Sequence, residues 1–86
     1  MELKKQVREF VTANFYVADV QSLEDRTSLL DQGIIDSTGV LEVIVFIEST
    51  FGVTVEDSEM LPENLDSIER IAAFVARKIA QVSVAA

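Results

Sequence analysis

The chain has 86 residues, a formal net charge of −8 at pH 7, and neither cysteine nor histidine. A chain of this length can form one small hydrophobic core, so we expect a single domain over residues 1–86. The missing residue types exclude disulfides, thiolate chemistry, and both the commonest general base and the commonest transition-metal ligand. We therefore expect no catalytic residues and no metal site.

Acidic residues are concentrated in the middle of the chain. Between Thr27 and Glu69 there are ten acidic residues and no lysine or arginine, whereas the rest has five acids and seven bases. Such a region repels nucleic acid and attracts partners with basic patches. No apolar run approaches the roughly 18 residues of a membrane span, and the first residues lack a signal peptide. We expect a cytoplasmic monomer that binds no nucleic acid.

Helical periodicity predicts the first and last elements of the fold. A first helix is expected over residues 2–15, with an inward side formed by Leu3, Val7, Phe10, Val11 and Asn14. A last helix is expected over residues 66–82, with an inward side formed by Ile68, Ile71, Ala72, Val75, Ile79 and Val82. Asp66 followed by Glu69 predicts a capping box at the start of this last helix.

A long polar connection follows the first helix. Loops of about 20 residues are uncommon in compact domains unless they are functional or held by buried side chains. The connection over residues 16–36 has five aliphatic residues that could be buried in this way: Leu23, Leu29, Leu30, Ile34 and Ile35.

The segment over residues 37–51 is ambiguous, because Val43 to Ile47 is rich in β-branched residues and could form a strand. Its length, a cap from Asp36 or Ser37, and the glycine that follows it favour a helix. In residues 53–65, which contain Pro62, we expect a loop with at most a short helix near residues 57–61. Together these elements predict an all-α, small antiparallel four-helix bundle, with three main helices, one short helix and a long first loop.

The middle helix has more apolar residues than one core face requires. Its inward stripe is predicted to comprise Val40, Val43, Ile44, Ile47 and Phe51. Leu41 and Val45 fall outside that stripe, close to the polar residues Thr38, Glu42 and Glu48. We therefore expect an exposed apolar strip, edged by carboxylates, that begins one turn after Ser37.

Ser37 lies where the polar connection meets the middle helix. The chain has no histidine or cysteine to activate it as a nucleophile. On its own, an Asp-Ser pair at a helix start is most simply a cap, because both side chains accept hydrogen bonds from unpaired backbone N–H groups. The alternative is that partner enzymes modify this serine.

The run from Gly33 to Ser37, preceded by Ser28-Leu29-Leu30-Asp31 and followed by a helix that ends at Phe51, resembles the phosphopantetheine attachment site of acyl and peptidyl carrier proteins. Length, acidity and helix order agree over essentially the whole chain. The resemblance implies that a phosphopantetheinyl transferase attaches 4'-phosphopantetheine to Ser37. The thiol of this arm would then carry acyl or aminoacyl groups as thioesters, so the protein itself would not be an enzyme.

The resemblance also implies roles for neighbouring residues. Asp36 matches the acidic residue that the transferase recognises. Partner contact is implied for the predicted strip and its surroundings, namely Thr38, Leu41, Glu42, Val45 and Glu48. Two features depart from the family pattern. The serine is followed by Thr38 rather than leucine or methionine, and then by Gly39, which weakens the first helical turn by about 1 kcal/mol relative to alanine. The helix also ends in Ser49 and Thr50, where fatty acid synthesis carriers often continue with carboxylates.

Gly33 precedes Ser37 by four residues, as in the stand-alone D-alanyl carriers, which work with an acyl- or aminoacyl-adenylating ligase. We therefore expect a discrete carrier in a specialised pathway of nonribosomal-peptide-like, polyketide-like or D-alanyl type, which also meets acyl-processing enzymes with basic docking patches. The alternatives are a general fatty acid synthesis carrier and an unmodified acidic helical binding module. A small hydrolase that uses Glu56, Asp57 and Glu59 is a more remote alternative, since these carboxylates lie in a polar loop.

Overall fold

The computed structural model describes the backbone of residues 3–85 and the side chains of residues 3–81. It is all-helical over this range, and its α-helices are α1 (Leu3–Asn14), α2 (Ser37–Phe51), α3 (Pro62–Leu65) and α4 (Ile68–Ala85). Two single turns of 3₁₀ helix lie in the connections, at Val20–Ser22 and Asp57–Glu59. The predicted small four-helix bundle, with three main helices and one short one, is confirmed.

Helices α1 and α4 pack against each other more extensively than any other pair within residues 3–85. Val7 and Val11 of α1 and Ile71 and Val75 of α4 are fully buried in the core. The prediction for Asn14 was wrong, because this residue is exposed and its amide donates to Phe10 O at 2.9 Å. Ile79 is half-buried as expected for the edge of the stripe, and the side chain of Val82 lies outside the described residues.

Helix α2 has the bounds that the sequence predicted, and the strand alternative for its β-branched centre was wrong. Val43, Ile44 and Ile47 are buried, and the two ends of the predicted stripe, Val40 and Phe51, are half-buried against the core. The helix ends at Gly52, where φ is 68° and the N–H donates to Glu48 O at 3.0 Å. A left-handed residue at this position terminates a helix, and glycine adopts it without a steric penalty.

The aromatic side chains between α1 and α2 form a continuous row. Phe10 stacks on Phe46 with ring centroids 4.1 Å apart, and Phe15 and Phe51 meet the two ends of this pair edge-on. All four rings are half-buried. The row therefore connects the second half of α1 to the second half of α2.

The segment between α2 and α4 contains more order than the sequence predicted. The turn expected near residues 57–61 is the 3₁₀ turn Asp57–Glu59, and a separate short helix, α3, begins only at Pro62. Proline suits the first position of a helix because its missing N–H would have no partner there. Val53, Val55 and Leu65 are buried, so the segment is attached to the core at both ends.

A salt bridge between Glu59 and Lys78 attaches the same segment to α4. Lys78 Nζ lies 2.9 Å from Glu59 Oε1, and the Glu56 N–H donates to that same oxygen at 2.9 Å. Asn64 continues the attachment, since it donates to Glu59 O and accepts from Arg77. Lys78 is only 9% exposed, although lysine is usually a surface residue.

The start of α4 differs from the predicted capping box. The helix begins at Ile68, and the Ser67 hydroxyl accepts from Arg70 N at 3.0 Å, so Ser67 is the capping residue. Glu69 does not complete a box with Asp66. Instead, the Glu69 N–H donates to Asp25 O at 2.9 Å, which joins the first turn of α4 to the long first connection.

Candidate functional site

Ser37 is the first residue of α2, and it is exposed. Asp36 caps this helix, because its backbone is extended and its Oδ1 accepts from Gly39 N at 2.7 Å. The backbone carbonyl of Asp36 also accepts from Val40 N at 3.0 Å, which closes the first turn. Since the aspartate provides the cap, the serine hydroxyl is not required for that purpose.

The loop before Ser37 is held by hydrogen bonds to one carbonyl. Leu29 O accepts from Ile34 N at 2.9 Å and from Ile35 N at 3.2 Å. Between them Gly33 has φ of 69°, a left-handed conformation that favours glycine, and its N–H donates to Leu30 O. The spacing of Gly33 from Ser37 thus corresponds to a tight turn that brings the chain to the cap of α2.

Asp66 fastens this loop to the junction of α3 and α4. Its carboxylate accepts from Ser28 Oγ at 2.7 Å and from Leu30 N at 2.9 Å, and its backbone oxygen accepts from Leu29 N at 2.7 Å. Ser28 Oγ in turn accepts from Asp31 N at 3.1 Å. The Ser28-Leu29-Leu30-Asp31 motif is therefore a hydrogen-bonded turn, anchored by a residue that the sequence had placed at a helix cap.

Of the five aliphatic residues expected to hold the connection, Leu23, Leu29 and Ile35 are buried and Ile34 is half-buried. The prediction for Leu30 was wrong, since this side chain is 37% exposed. Arg8 fastens the other end of the connection to α1, through Leu23 O at 2.7 Å and Asp25 Oδ1 at 2.8 Å. The loop that presents Ser37 is thus held by α1, α4 and the core.

Beside Ser37 an open apolar groove runs along the outer side of α2. This α2 groove is lined by Asn14, Thr38, Leu41, Glu42 and Val45. Leu41 and Val45 are 58% and 63% exposed, as the predicted strip requires. Asn14 at the end of α1 forms the opposite wall, which the helical wheel of α2 alone could not show.

Glu48 differs from the other residues expected at the partner surface. It is half-buried, and its Oε2 accepts from the Val55 N–H at 2.9 Å. The carboxylate therefore holds the strand-like segment after α2 against the helix. The structure brings Thr38, Leu41, Glu42 and Val45 together in the α2 groove, which Glu48 does not line.

The acidic loop that a hydrolase would need includes Glu59. The Glu56 N–H and, to a smaller extent, the Lys78 ammonium hold the pKa of Glu59 below its ordinary value. A general acid at neutral pH requires the opposite shift. In the part of the chain that the structure describes, no three carboxylates converge as they would around a metal ion.

Comparison with known proteins places this site in a family. A family described as "Phosphopantetheine attachment site" matches residues 5–75. The chain belongs to this family of phosphopantetheine-binding carrier proteins. It is a non-catalytic carrier, and its cofactor is covalently attached 4'-phosphopantetheine.

Several curated carrier proteins are similar to this one. The D-alanyl carrier protein of Streptococcus suis (strain 05ZYH33) is 32% identical over 71 residues, which cover 83% of this chain and 87% of the relative. That of Streptococcus mutans serotype c is 31% identical over the same shares of both chains. The D-alanyl carrier protein of Abiotrophia defectiva is 34% identical over 53 residues, 62% of this chain and 67% of the relative.

The residues around Ser37 fit the cofactor of a carrier protein. The exposed hydroxyl stands at the amino end of a helix of 15 residues, where backbone N–H groups and the helix dipole favour the negative charge of a phosphodiester. The α2 groove begins at the next residue, so an extended arm on this hydroxyl would have an apolar surface beside it. When bound, the group supplies a terminal thiol.

Carrier proteins of this family work with a phosphopantetheinyl transferase and with ligases. Among the helices of residues 3–85, none combines the length and the hydropathy that a transmembrane span requires. Three features near the site were not predicted: the anchor at Asp66, the wall formed by Asn14, and the contact of Phe15 with Gly39. The sequence does not show which carbonyl or N–H group a polar side chain will bond when the partner is about 40 positions away.

Proposed function

We propose that this carrier protein receives its 4'-phosphopantetheine on Ser37 and holds aminoacyl or acyl groups on the arm as thioesters. The position of the serine is the observation that supports the proposal most directly. Ser37 is exposed at the first position of α2, while Asp36 makes the capping hydrogen bond. A serine that only capped the helix would occupy the position that the aspartate holds.

The site also supplies what a modifying enzyme needs around its target. The hydroxyl lies at the start of α2, and the loop before it is held by hydrogen bonds to the Leu29 carbonyl and to Asp66. Asp36 is exposed beside it, and its carboxylate keeps a second oxygen that a transferase could contact. The chain has no histidine that could activate the serine, and we propose that the partner enzyme provides the base.

Attachment is tested by incubating the protein with coenzyme A and a broad-specificity phosphopantetheinyl transferase and measuring the intact mass. We expect a gain equal to one phosphopantetheine, which Ser37→Ala abolishes. Ser49→Ala is the matched control, because Ser49 is another exposed serine of α2. A gain that persists in the Ser37→Ala variant, or no gain with several transferases, would refute attachment at Ser37.

We further propose that the cargo is an amino acid, with D-alanine as the first candidate, loaded by an adenylating ligase. The relatives named D-alanyl carrier protein support this choice, since two of them match over more than four-fifths of both chains. The four-residue spacing of Gly33 from Ser37, which forms a tight turn here, agrees with the same group of carriers. Residue 38 is a threonine, so one wall of the α2 groove next to the serine is polar.

The cargo is tested with the holo protein, ATP and an adenylating ligase. Mass spectrometry should show D-alanine on the arm when a D-alanine-activating ligase is supplied, and hydroxylamine should release it as expected for a thioester. Fatty-acid-synthesis enzymes are the comparison. If only those enzymes act on the holo protein, the general fatty acid alternative is correct and the aminoacyl proposal is wrong.

Partners are proposed to dock on Thr38, Leu41, Glu42, Val45 and Glu48. Support comes from the two exposed aliphatic side chains and from the absence of any lysine or arginine between Thr27 and Glu69. Acyl-processing enzymes with basic docking patches suit such a surface. That the protein is a monomer of one domain, located in the cytoplasm, remains a prediction.

A further inference from the structure

The first turn of α2 lies very close to the end of α1. A Cβ atom built on Gly39 would lie 2.9 Å from Cε1 of Phe15 and 3.2 Å from Cγ2 of Ile35. Nonbonded carbon atoms have their optimal separation at about 3.5–4.0 Å, so there is no room for a methyl group at residue 39. Gly39 is buried, and the edge of the Phe15 ring occupies the space that a side chain would fill.

The Phe15 ring has little freedom to move away. It meets Phe10 edge-on, with centroids 5.8 Å apart, and Phe10 stacks on Phe46 of α2. The Phe15 N–H donates to Val11 O at 3.0 Å, which holds its backbone to the last turn of α1. Because Phe46 and Gly39 both belong to α2, the end of α1 contacts this helix at two separated points.

These two contacts fix how α2 is oriented relative to the end of α1. Gly39 follows Ser37 by two residues, and Phe15 follows Asn14, which forms one wall of the α2 groove. A shift of Phe15 against Gly39 would therefore move the serine relative to that wall. A transferase that engages the hydroxyl and the groove together would be sensitive to such a shift.

We propose that Phe15, seated against Gly39, is a positioning residue that holds Ser37 in the geometry required for its modification. The inference rests on the proposed attachment at Ser37. It explains why a residue with poor helix propensity occupies the first turn of α2, where alanine would otherwise be favoured. In this structure the glycine is required by the close approach of an aromatic ring.

The test compares Gly39→Ala, Phe15→Leu and the double variant with Thr50→Ala, an exposed α2 residue away from the groove. The kcat and KM of phosphopantetheine transfer from coenzyme A are measured by intact mass, with thermal unfolding by circular dichroism. We expect kcat/KM to fall by about tenfold to hundredfold in Gly39→Ala, because small displacements of a reacting group have effects of this size. Thr50→Ala should match the original protein.

The double variant tests whether the clash between residues 15 and 39 causes the loss of rate. Leucine is smaller than phenylalanine and leaves room for the new methyl group, so the double variant should recover most of the rate that Gly39→Ala loses. Phe15→Leu alone should lower the rate, because leucine does not fill the space beside Gly39. The rate of every variant is divided by its folded fraction from thermal unfolding before the comparison. A rate in Gly39→Ala equal to that of Thr50→Ala, or a double variant no faster than Gly39→Ala, would overturn the inference.

If Gly39→Ala does not fold, the positioning role of Phe15 is tested with Phe15→Leu and Phe15→Ala instead. Both keep Gly39, and both should lower kcat/KM by a larger factor than the folded fraction falls. An unchanged kcat/KM in these variants also overturns the inference. Failure of the attachment proposal looks different, because then the original protein is not modified or Ser37→Ala is still modified.

Discussion

Asp36 and Ser37 are adjacent, but they have separate tasks at the start of α2. The aspartate carboxylate accepts from Gly39 N at 2.7 Å, and the serine side chain is exposed. Asp36→Ala should lower the free energy of unfolding by about 1 kcal/mol, because the N–H of residue 39 loses its partner. Urea denaturation measures this difference.

Asp36→Asn provides the matched variant for this prediction. Asparagine has a side-chain oxygen in the same place and caps helices about as well as aspartate. We therefore expect it to retain most of the stability that alanine loses. Equal losses in the two variants would show that the negative charge, rather than the capping hydrogen bond, stabilises the first turn.

Glu59 makes the stability of the protein depend on pH. The Glu56 N–H and then the Lys78 ammonium keep the pKa of Glu59 in the folded protein below its ordinary value. The stabilisation is therefore complete above the unfolded pKa and is lost as the pH falls through the folded pKa. Glu59→Gln should flatten the fall in unfolding free energy between about pH 5 and pH 2, measured by urea denaturation.

Glu63→Gln is the control for the Glu59 prediction. Glu63 is an exposed glutamate of α3 in the same acidic region, so its substitution changes the net charge equally. We expect this variant to keep the steep acid dependence of the original protein. An equally flattened profile would assign the effect to overall charge repulsion instead of the contact with Lys78.

At the scale of elements, the first connection depends on Asp66. The Asp66 carboxylate and carbonyl bind Ser28, Leu29 and Leu30 across the molecule. Asp66→Ala should lower the free energy of unfolding by about 1–3 kcal/mol, because it leaves donors without partners. Amide exchange at Leu30 and Ile34 should become faster at the same time.

Asp57→Ala is the corresponding control for Asp66. Asp57 is an exposed aspartate of the 3₁₀ turn, and its substitution by alanine removes the same charge. In the Asp57→Ala variant, amide exchange in the first connection should match that of the original protein. Unchanged exchange at Leu30 in the Asp66→Ala variant would mean that the loop is held by its buried aliphatic residues alone.

The helices could be predicted because their signals are local. The bounds of α2 followed from Asp36, the apolar stripe and Gly52, which are all within one segment. The capping of α4 was predicted wrongly because Asp66 and Ser67 are both good capping residues, and the choice between them depends on Ser28 and Leu30. Burial of Lys78 likewise depends on Glu59, which lies 19 positions away.

In the candidate site too, some features could be predicted from one segment of sequence, and others depend on residues that are distant in the chain. Ser37, its exposure and the strip of Leu41 and Val45 could be predicted from one segment of sequence. The contact of Phe15 with Gly39 could not, because a glycine in a helix start is equally compatible with a weak turn. Only the packing of α1 against α2 shows that the Phe15 ring fills the space beside Gly39.

For the whole molecule, charge distribution determines how partners approach. Helix α2 has acidic residues and no basic ones, whereas every lysine and arginine precedes Thr27 or follows Glu69. Glu42→Lys should slow association with the transferase by about threefold to tenfold, since charges at an interface rim act mainly on the association rate. Stopped-flow measurements at low salt would give this rate.

Two comparisons accompany the Glu42 prediction. Glu63→Lys makes the same change in net charge on α3, outside the α2 groove, and should slow association less. In about 1 M salt the screening length falls to about 3 Å, so the two variants should converge there. Equal rates of the two variants at low salt would show that only net charge matters.

The hydrogen bonds of Asp66 to the first connection can form only late in the synthesis of the chain. Ser28 and Asp66 are 38 positions apart, so the turn that leads to the serine closes only after α2 and α3 have both emerged from the ribosome. Closing a loop of this length has an entropic cost that grows with the logarithm of its length, and the core of α1 and α4 offsets it. A nascent chain that stops before Asp66 therefore displays the Asp-Ser sequence without the hydrogen bonds that anchor the turn.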